Sequence, residues 1–417
     1  MKKLLSLLLA LTLMASLFVG CAKKEATTVA EPVDLLLWEQ MDPVAQTAFD
    51  EIAAAFTAVN PKITVTRTHY ETEDLRTSFQ NASIAGDGTG PTFVYGPNDN
   101  VGLFYTSQVI QPITNVLSSE FIATIDQTSL DGTKVDGDYW MLPDINGNQI
   151  AMVYNKALVK EAPTTWDELI AAAVANTDVA GEKYGLVFNE KEPYWFVGFY
   201  NGYGGKVMDD KNNPTLNNEA MVKALQFAKD VRAKYELGLE GMDYDISDSL
   251  FKAGQAAILF NGAWSWSGYT DAGIDIGIAK GPVLPGTDST PIWYNATKGY
   301  LIPTYVEDAN TKAALQKFFD FLFSPENNAK MALAVSQAPT VTKARDLDII
   351  KNDPLQKVAI ETIEATTGMP IVAEMRGIWD AMRPELEAVL FSDKDPAQAA
   401  ADMQTAAEGF IAEIRGE

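Results

Sequence analysis

The segment VDLLLWEQMDPVAQTAFDEIAAAFTAVNPKITVT, residues 33–66, predicts a strand, a helix and a second strand in that order. Residues 33–38 are largely apolar, which is typical of a buried strand. Asp42 and Pro43 then predict a helix start, with Asp42 as the N-cap and proline at the first helical position. Apolar residues recur at helical spacing in the segment that follows: Phe49, Ile52, Ala53, Phe56 and Val59. A β-α-β unit of this length predicts parallel strands joined by a right-handed crossover.

The same alternation of strands and helices continues along the chain. Further strands are predicted at 92–95, 150–154, 256–260, 274–279 and 300–303. Further helices are predicted at 73–85, 165–175, 218–234, 308–323, 325–335 and 396–414. Thr165 and Glu168 have the spacing of a capping box, in which the threonine hydroxyl accepts from the Glu168 amide. The predicted fold class is therefore α/β. The glycine-rich turn at 86–90 lacks the spacing of a phosphate-binding loop.

The N-terminus has the layout of a secretory signal. Lys2 and Lys3 precede an apolar run from Leu4 to Gly20, and Cys21 follows directly. The residues around Cys21 resemble a lipobox, which predicts a lipoprotein signal peptide at 1–20, acylation of Cys21 and a polar tether at 21–32. The alternative is a transmembrane helix over residues 4–20, but that length is at the short limit for spanning a bilayer.

The composition narrows the range of functions. A chain of 417 residues is long enough for two lobes, since single cores stop growing near about 250–300 residues. The net charge of −24 argues against nucleic acid or an anionic lipid surface as a binding partner. Cys21 and His69 are the only cysteine and histidine, so no cysteine–histidine metal site or disulfide is predicted in the mature body. We expect a surface or packing role for His69, a solvated turn at 209–213, and no metal ion or cofactor.

Aromatic and polar side chains cluster in segments that look like loops or element ends. Trp264 and Trp266 follow a predicted strand, Tyr194 and Trp195 lie in a proline-containing turn, and residues 98–100 follow another strand. Flat rings pack on the apolar C–H face of a pyranose, while carboxylates and amides bind its hydroxyl groups. This combination indicates a sugar site. The alternative is that the rings fill the core, because tryptophan is highly buried on average.

At these motifs the chain resembles the extracellular solute-binding proteins of ABC importers, family 1, and most closely their maltose/maltodextrin-binding branch. The resemblance runs over nearly all of the mature chain. It is carried by Phe188-Asn189 with the Glu192-Pro193-Tyr194-Trp195 segment, by residues 251–266 with their Trp-x-Trp turn, and by residues 369–383. Residues 154–156 and 165–169 match the wider family.

The resemblance implies a set of ligand-binding residues. Tyr194, Trp264 and Trp379 would stack on sugar rings, with Trp195 beside them. Asp99 and Glu192 would bind hydroxyl groups, and Arg383 would contact the ligand or support Glu192. Two positions depart from the family: Asn148 stands where a glutamate is usual, and the loop at 38–43 lacks its usual lysine. Trp38, Glu39 and Tyr95 are candidate substitutes.

The resemblance also implies an architecture and a mechanism. The expected fold is the two-lobe, type II periplasmic-binding-protein-like fold, with a hinge that the chain crosses three times and a ligand cleft between the lobes. Lobe one would hold 33–147 and 298–343, and lobe two would hold 148–297 and 344–417. A sugar contacting both lobes would favour their closure. The expected protein is a monomer, lipid-anchored on the outer face of a bacterial membrane, that delivers maltodextrin to ABC permease subunits.

Three alternatives remain open from the sequence. The same fold could bind a different oligosaccharide, which the departures at Asn148 and in the 38–43 loop favour. A glycoside hydrolase would need two carboxyl groups about 5–9.5 Å apart that flank one bond, and Asp99 and Glu192 already have a binding role, so the chain is not expected to be an enzyme. A purely structural surface lipoprotein would not need a tryptophan-lined cleft.

Overall fold

The computed structural model describes residues 29–86, 88–235 and 242–417. The predicted signal peptide, Cys21 and the tether up to residue 28 lie outside these residues. The strands are β1 Val33–Glu39, β2 Ile63–His69, β3 Phe93–Pro97, β4 Ile110–Gln111, β5 Lys134–Val135, β6 Asp138–Tyr139, β7 Leu142–Gly147, β8 Ile150–Asn155, β9 Tyr184–Phe188, β10 Ala256–Gly262, β11 Ile276–Ala279, β12 Tyr294–Pro303, β13 Ala338–Pro339 and β14 Thr367–Gly368.

The helices alternate with these strands, as the α/β class requires. They are α1 Pro43–Val59, α2 Thr72–Ala85, α3 Asn100–Thr106, α4 Ser119–Ile122, α5 Gln127–Asp131, α6 Trp166–Ala175, α7 Pro193–Gly202, α8 Glu219–Tyr235, α9 Tyr244–Lys252, α10 Trp266–Asp271, α11 Ala309–Leu322, α12 Pro325–Ala334, α13 Asp348–Lys351, α14 Pro354–Ile363, α15 Glu374–Phe391 and α16 Pro396–Arg415.

The strands form two main sheets, and each sheet is the centre of one lobe. The first sheet has the order β13-β7-β12-β3-β1-β2, with β4 and β14 also paired to β12. The second has the order β11-β8-β10-β9. The chain leaves the first sheet between β7 and β8, returns to it between β11 and β12, leaves it again after β13 and pairs with it once more at β14. We refer to the elements around the first sheet as the first lobe and those around the second as the second lobe.

The segment at 33–66 folds as its pattern predicts. β1 and β2 pair in parallel, with Val33 opposite Ile63, and α1 connects them. Phe49, Ile52 and Phe56 are buried on the face of α1 that covers the sheet. Val59 was predicted on the same face but is 68% exposed, because it is the last residue of α1 and lies past the end of the packed surface.

Two local predictions about helix starts are confirmed, but only one of the two N-cap side chains bonds to its own helix. The capping box of Thr165 and Glu168 is confirmed, with both reciprocal hydrogen bonds present. Asp42 occupies the N-cap position of α1 as predicted, although its side chain makes no hydrogen bond to the helix. Its carboxylate accepts a hydrogen bond from the Tyr244 hydroxyl instead, so a tertiary contact has replaced the local cap.

The segment 192–195, predicted as a proline turn, begins a helix. Glu192 is the N-cap of α7 and Pro193 is its first residue, which suits a proline because the first helical position needs no N–H donor. The helix holds Tyr194 and Trp195 at fixed positions. Of the Trp-x-Trp pair, Trp266 is fully buried, so only Trp264 is available to a cleft. Within 29–86, 88–235 and 242–417, no helix combines the length and apolarity needed to cross a bilayer.

Candidate ligand-binding site

A cavity of about 510 Å³ lies between the two lobes. It is lined where strands of both sheets end: Asp42 follows β1, Asp99 follows β3, Glu192 follows β9 and Trp264 follows β10. Ligands of α/β proteins bind outside the carboxyl ends of strands, where the connecting loops of neighbouring strands diverge. The topology therefore brings together residues that are far apart in sequence.

Four aromatic rings form a continuous wall of this cavity, which we call the aromatic arc: Trp379, Tyr194, Trp195 and Trp264. Successive ring centroids are 6.4 Å apart from Trp379 to Tyr194, 6.0 Å from Tyr194 to Trp195 and 5.9 Å from Trp195 to Trp264. Each pair meets edge to face, an arrangement that the ring quadrupoles favour. The structure thus brings together all four aromatic residues that the resemblance assigned to binding.

Trp264 can reach the arc because of the glycine two residues before it. A Cβ atom added to Gly262 would lie 2.0 Å from the six-membered ring of Trp264, so any larger residue would displace the indole. The Trp264 Nε1–H donates to the Tyr244 hydroxyl at 3.2 Å. The close contact with the backbone of Gly262 and the hydrogen bond to Tyr244 together fix the orientation of this ring.

Asp99 connects the first lobe to the aromatic arc. Its Oδ2 accepts from the Arg76 guanidinium at 3.1 Å and from the indole N–H of Trp379 at 3.3 Å. Its Oδ1 has no hydrogen-bond partner. Because Trp379 lies on α15 of the second lobe, this carboxylate bridges the two lobes and retains capacity to accept a further hydrogen bond.

Glu192 and Arg383 form an ion pair at the cavity wall. The guanidinium of Arg383 donates to the two carboxylate oxygens at 2.6 Å and 3.2 Å. Burial raises the pKa of Glu192 above its ordinary value, and the charge of Arg383 opposes that shift only in part. Glu192 lines the cavity, whereas Arg383 lies behind it and acts by holding the carboxylate.

Asn148, the position where the family usually has glutamate, supports Tyr194. The Tyr194 hydroxyl donates to the backbone carbonyl oxygen of Asn148 at 2.6 Å. The side-chain amide of Asn148 donates to the same hydroxyl at 3.3 Å. Asn148 has a φ of 54°, a left-handed conformation that asparagine tolerates better than most residues. Its Oδ1 has no partner. Asn148 therefore fixes one ring of the arc and still offers an acceptor at the cavity wall.

The structure does not bring Trp38 and Glu39 to the cavity. Trp38 packs on Tyr70 with ring centroids 4.9 Å apart, inside the core of the first lobe. Glu39 is fully buried and accepts from Arg67 at 2.8 Å. Tyr95 is likewise buried, against Tyr300. These side chains belong to the packing of β1 and β3, so they are not substitutes for the missing lysine of the 38–43 loop.

Sequence reasoning missed several charged residues of the cavity, Lys298 among them, and undervalued His69. Lys298 lines the cavity from β12, and the signal that could have found it is a single lysine in an otherwise uncharged strand, YNATKGYLIP. His69 also lines the cavity, and its Nδ1 lies 3.2 Å from Glu39 Oε2. In the described part of the chain, no group of histidine, cysteine and acidic residues could hold a metal ion.

The arrangement suits a neutral, hydroxyl-rich ligand. The rings offer flat apolar faces, and Asp99, Asn148, Glu192 and Lys298 offer acceptors and donors around them. Specific polar groups placed around a mainly aromatic wall are characteristic of small-molecule sites. Asp99 and Glu192 are each held in an ion pair with an arginine, which fixes the position of both carboxylates at the cavity wall.

Comparisons with known proteins agree with this geometry. A model of the family described as bacterial extracellular solute-binding protein matches residues 51–358. The maltotriose-bound maltose/maltodextrin-binding domain of Bdellovibrio bacteriovorus superimposes with a TM-score of 0.86 and is 34% identical, covering 91% of this chain and 100% of that one. A maltotriose-binding protein of Pyrococcus abyssi is 26% identical over 88% of this chain and 78% of its own length.

Two further relatives bear on the range of ligands. A maltooligosaccharide ABC transporter solute-binding lipoprotein of Streptococcus pneumoniae is 25% identical over 97% of this chain and 96% of its own length. A galactooligosaccharide-binding protein of Bacillus subtilis is 26% identical over 94% of this chain and 93% of its own length. The names of these relatives therefore describe more than one kind of oligosaccharide ligand.

Proposed function

The chain belongs to the bacterial extracellular solute-binding proteins, and from that premise we propose that it captures a maltooligosaccharide for an ABC importer. Members of this family bind solutes and are not enzymes, which removes the glycoside hydrolase from consideration. The observation that carries the proposal is the aromatic arc. Its four rings, at spacings of 6.4, 6.0 and 5.9 Å, offer a row of stacking faces for consecutive sugar units.

Polar groups beside the arc would select the hydroxyl pattern. Asp99 Oδ1 and Asn148 Oδ1 are acceptors without partners, and buried polar groups in folded proteins are normally paired. Hydroxyl groups of a bound sugar would donate hydrogen bonds to these two oxygens. We therefore assign Tyr194, Trp195, Trp264 and Trp379 to stacking. We assign Asp99, Glu192 and Asn148 to polar contact, with Arg383 as support for Glu192.

We further propose that the ligand is held by closure of the two lobes about the segments that connect their sheets, with the lobe boundaries near 147, 297 and 343. Contacts across the cleft support this proposal. Glu73 on α2 pairs with Arg376 and Arg383 on α15, and Tyr244 on α9 donates to Asp42 after β1. Burial would raise the pKa of Glu73, but Arg76 and Arg376 outweigh it and hold that pKa below its ordinary value. The carboxylate is therefore charged at neutral pH and favours the closed form.

Replacing Glu73 with glutamine should weaken sugar binding by about three- to tenfold, because it removes a partly exposed charge pair that favours closure. Titration calorimetry would give the dissociation constant, and small-angle scattering would report a larger radius of gyration for the ligand-free variant. Glu51→Gln is the matched control, since Glu51 pairs with Lys330 within the first lobe. Equal affinity and equal radius in Glu73→Gln and wild type would remove Glu73 from the closure mechanism.

We propose that Cys21 carries the lipid anchor on the outer face of the membrane. The signal-like layout of residues 1–20 supports it, as does the lipoprotein named among the relatives. An anchored, monomeric binding protein would stay beside the permease subunits that receive the sugar. The chain is strongly acidic, with a net charge of −24 over its 417 residues, so the anchored protein would be repelled by anionic lipid headgroups and remain free to close.

Calorimetric titration of the purified mature protein tests the ligand assignment. We expect maltotriose to bind and to be recovered intact from the complex. A galactose-based trisaccharide should bind more weakly or not at all. Preference for the galactose-based sugar would favour the second candidate ligand, which Asn148 and the Bacillus subtilis relative support. Release of glucose from maltotriose would contradict a pure binding function.

A further inference from the structure

Lys298 is a buried cation in the middle of β12. The residue is 9% exposed, yet it lies at the wall of the cavity. The other residues of this strand are uncharged. Lysine is almost never buried without a partner, so its presence inside an uncharged strand of the first sheet points to a specific interaction.

The groups around Lys298 leave its ammonium incompletely satisfied. Its Nζ lies 5.0 Å from the ring centroid of Trp264, over the indole. Burial lowers its pKa, and the nearby Asp42 carboxylate opposes that shift. Asp42 itself accepts from Tyr244, and the neighbouring Lys252 is paired with Asp248 at 2.6 Å. Among the described residues, none provides a hydrogen-bond acceptor to the Lys298 ammonium.

An ammonium carries three N–H donors and no acceptor. Moving them out of water without acceptors is costly, and a cation–π contact of at most about 2 kcal/mol offsets only part of that cost. Nζ keeps contact with the cavity, so its acceptors come from what occupies that space, whether water or a ligand. Hydroxyl oxygens of a sugar meet this requirement.

We propose that Lys298 is a ligand-binding residue whose ammonium donates hydrogen bonds to hydroxyl oxygens of the sugar unit bound beside Trp264. The inference rests on the proposed function and adds a residue to it. Lys298 takes the place of the lysine that the 38–43 loop lacks, from a different strand of the same lobe. Because it lies on the first lobe and Trp264 on the second, its hydrogen bonds form only when the cleft is closed.

The charges of the cavity specify a neutral ligand at this position. The acidic residues of the wall outnumber its lysine and arginine residues: Asp42, Glu71, Glu73, Asp99, Glu192 and Asp245 against Arg76 and Lys298. A carboxylate or phosphate on the ligand would be repelled by this excess. The donors of Lys298 are therefore suited to uncharged hydroxyl groups rather than to an anion.

Lys298→Met tests the proposal, because methionine keeps most of the apolar stem and removes the charge. Loss of charge-assisted hydrogen bonds should weaken maltotriose binding by about ten- to a hundredfold. Lys252→Met is the matched control, since Lys252 has its own partner, Asp248, and does not line the cavity; its affinity should equal that of wild type. Thermal unfolding of both variants would verify that they fold. If Lys298→Met does not fold, Lys298→Gln is measured in its place.

A set of monodeoxy maltotrioses distinguishes direct contact from a structural role. At least one deoxy sugar should lose affinity for wild type but show no further loss with Lys298→Met, because the missing hydroxyl and the missing ammonium belong to one interaction. Two results would contradict the role of Lys298 and leave the proposed function unaffected. One is an equal loss of affinity for every deoxy sugar in both proteins, and the other is an unchanged maltotriose affinity in Lys298→Met. Failure of wild type to bind any maltodextrin would overturn the proposed function together with it.

Discussion

Replacing Trp379 with alanine should weaken maltotriose binding by about thirty- to a thousandfold, the loss of about 2–4 kcal/mol typical of a dominant interface residue. Trp379 supplies one end of the aromatic arc, 6.4 Å from Tyr194, and its indole N–H donates to Asp99 across the cleft. The substitution removes a stacking face and a contact between the lobes at once. Titration calorimetry against maltotriose measures the effect.

Trp140→Ala is the control for Trp379→Ala. Trp140 is half-buried, packs against Tyr105 with centroids 4.7 Å apart and lies outside the cavity, so its removal should leave affinity unchanged. Trp379 also packs on Tyr294, and Trp379→Phe is the second variant in case the alanine variant unfolds. Phenylalanine keeps a ring but loses the donor to Asp99, so it should bind with intermediate affinity. A folded Trp379→Ala protein with wild-type affinity would remove Trp379 from the site.

The second large effect concerns stability rather than binding. Asp144 on β7 is fully buried, and burial raises its pKa from the ordinary value to about 7, while a hydrogen bond from Asn328 opposes the shift. An unfolded aspartate loses its proton near pH ~3.9. Between these values the folded state holds a proton that the unfolded state has lost. Stability contributed by this group is therefore present at low pH and lost as the pH rises toward neutrality.

The size of this pH effect on stability follows from the size of the pKa shift of Asp144. Between pH 5 and pH 8, wild type should lose about 2.5–3 kcal/mol of unfolding free energy relative to Asp144→Asn, which has no proton to lose. Urea unfolding of both proteins at a series of pH values gives this difference and cancels the titration of groups they share. A difference that stays constant over this range would show that Asp144 is ionised in the folded protein throughout.

Much of the fold was predictable because its signals are local. The β-α-β unit at 33–66 and the capping box at Thr165 depend on residues within one or two turns of each other, and both form as predicted. The local pattern is an incomplete guide where a distant partner competes for a side chain or where a short segment is read alone. Asp42 bonds to Tyr244 instead of capping its own helix, and the helix begun by Glu192 and Pro193 looked like a turn in isolation.

The rings of the candidate site and two of its carboxylates, Asp99 and Glu192, were predictable, whereas Lys298 and Arg76 were not. Tyr194, Trp264 and Trp379 are far apart in sequence, and no spacing rule connects them; the family resemblance placed them together. Nothing local distinguishes Trp264, at the cavity wall, from the fully buried Trp266. Lys298 escaped notice because its significance depends on an indole that the other lobe brings within 5.0 Å of it.

The most direct test of the central claim is a crystal structure of the mature protein with maltotriose. We predict that the sugar lies between the lobes with its rings on Trp379, Tyr194 and Trp264, and with hydroxyl groups within hydrogen-bond distance of Asp99 and Lys298. Density for the sugar outside this cavity, or a ligand that leaves the aromatic arc uncovered, would contradict it.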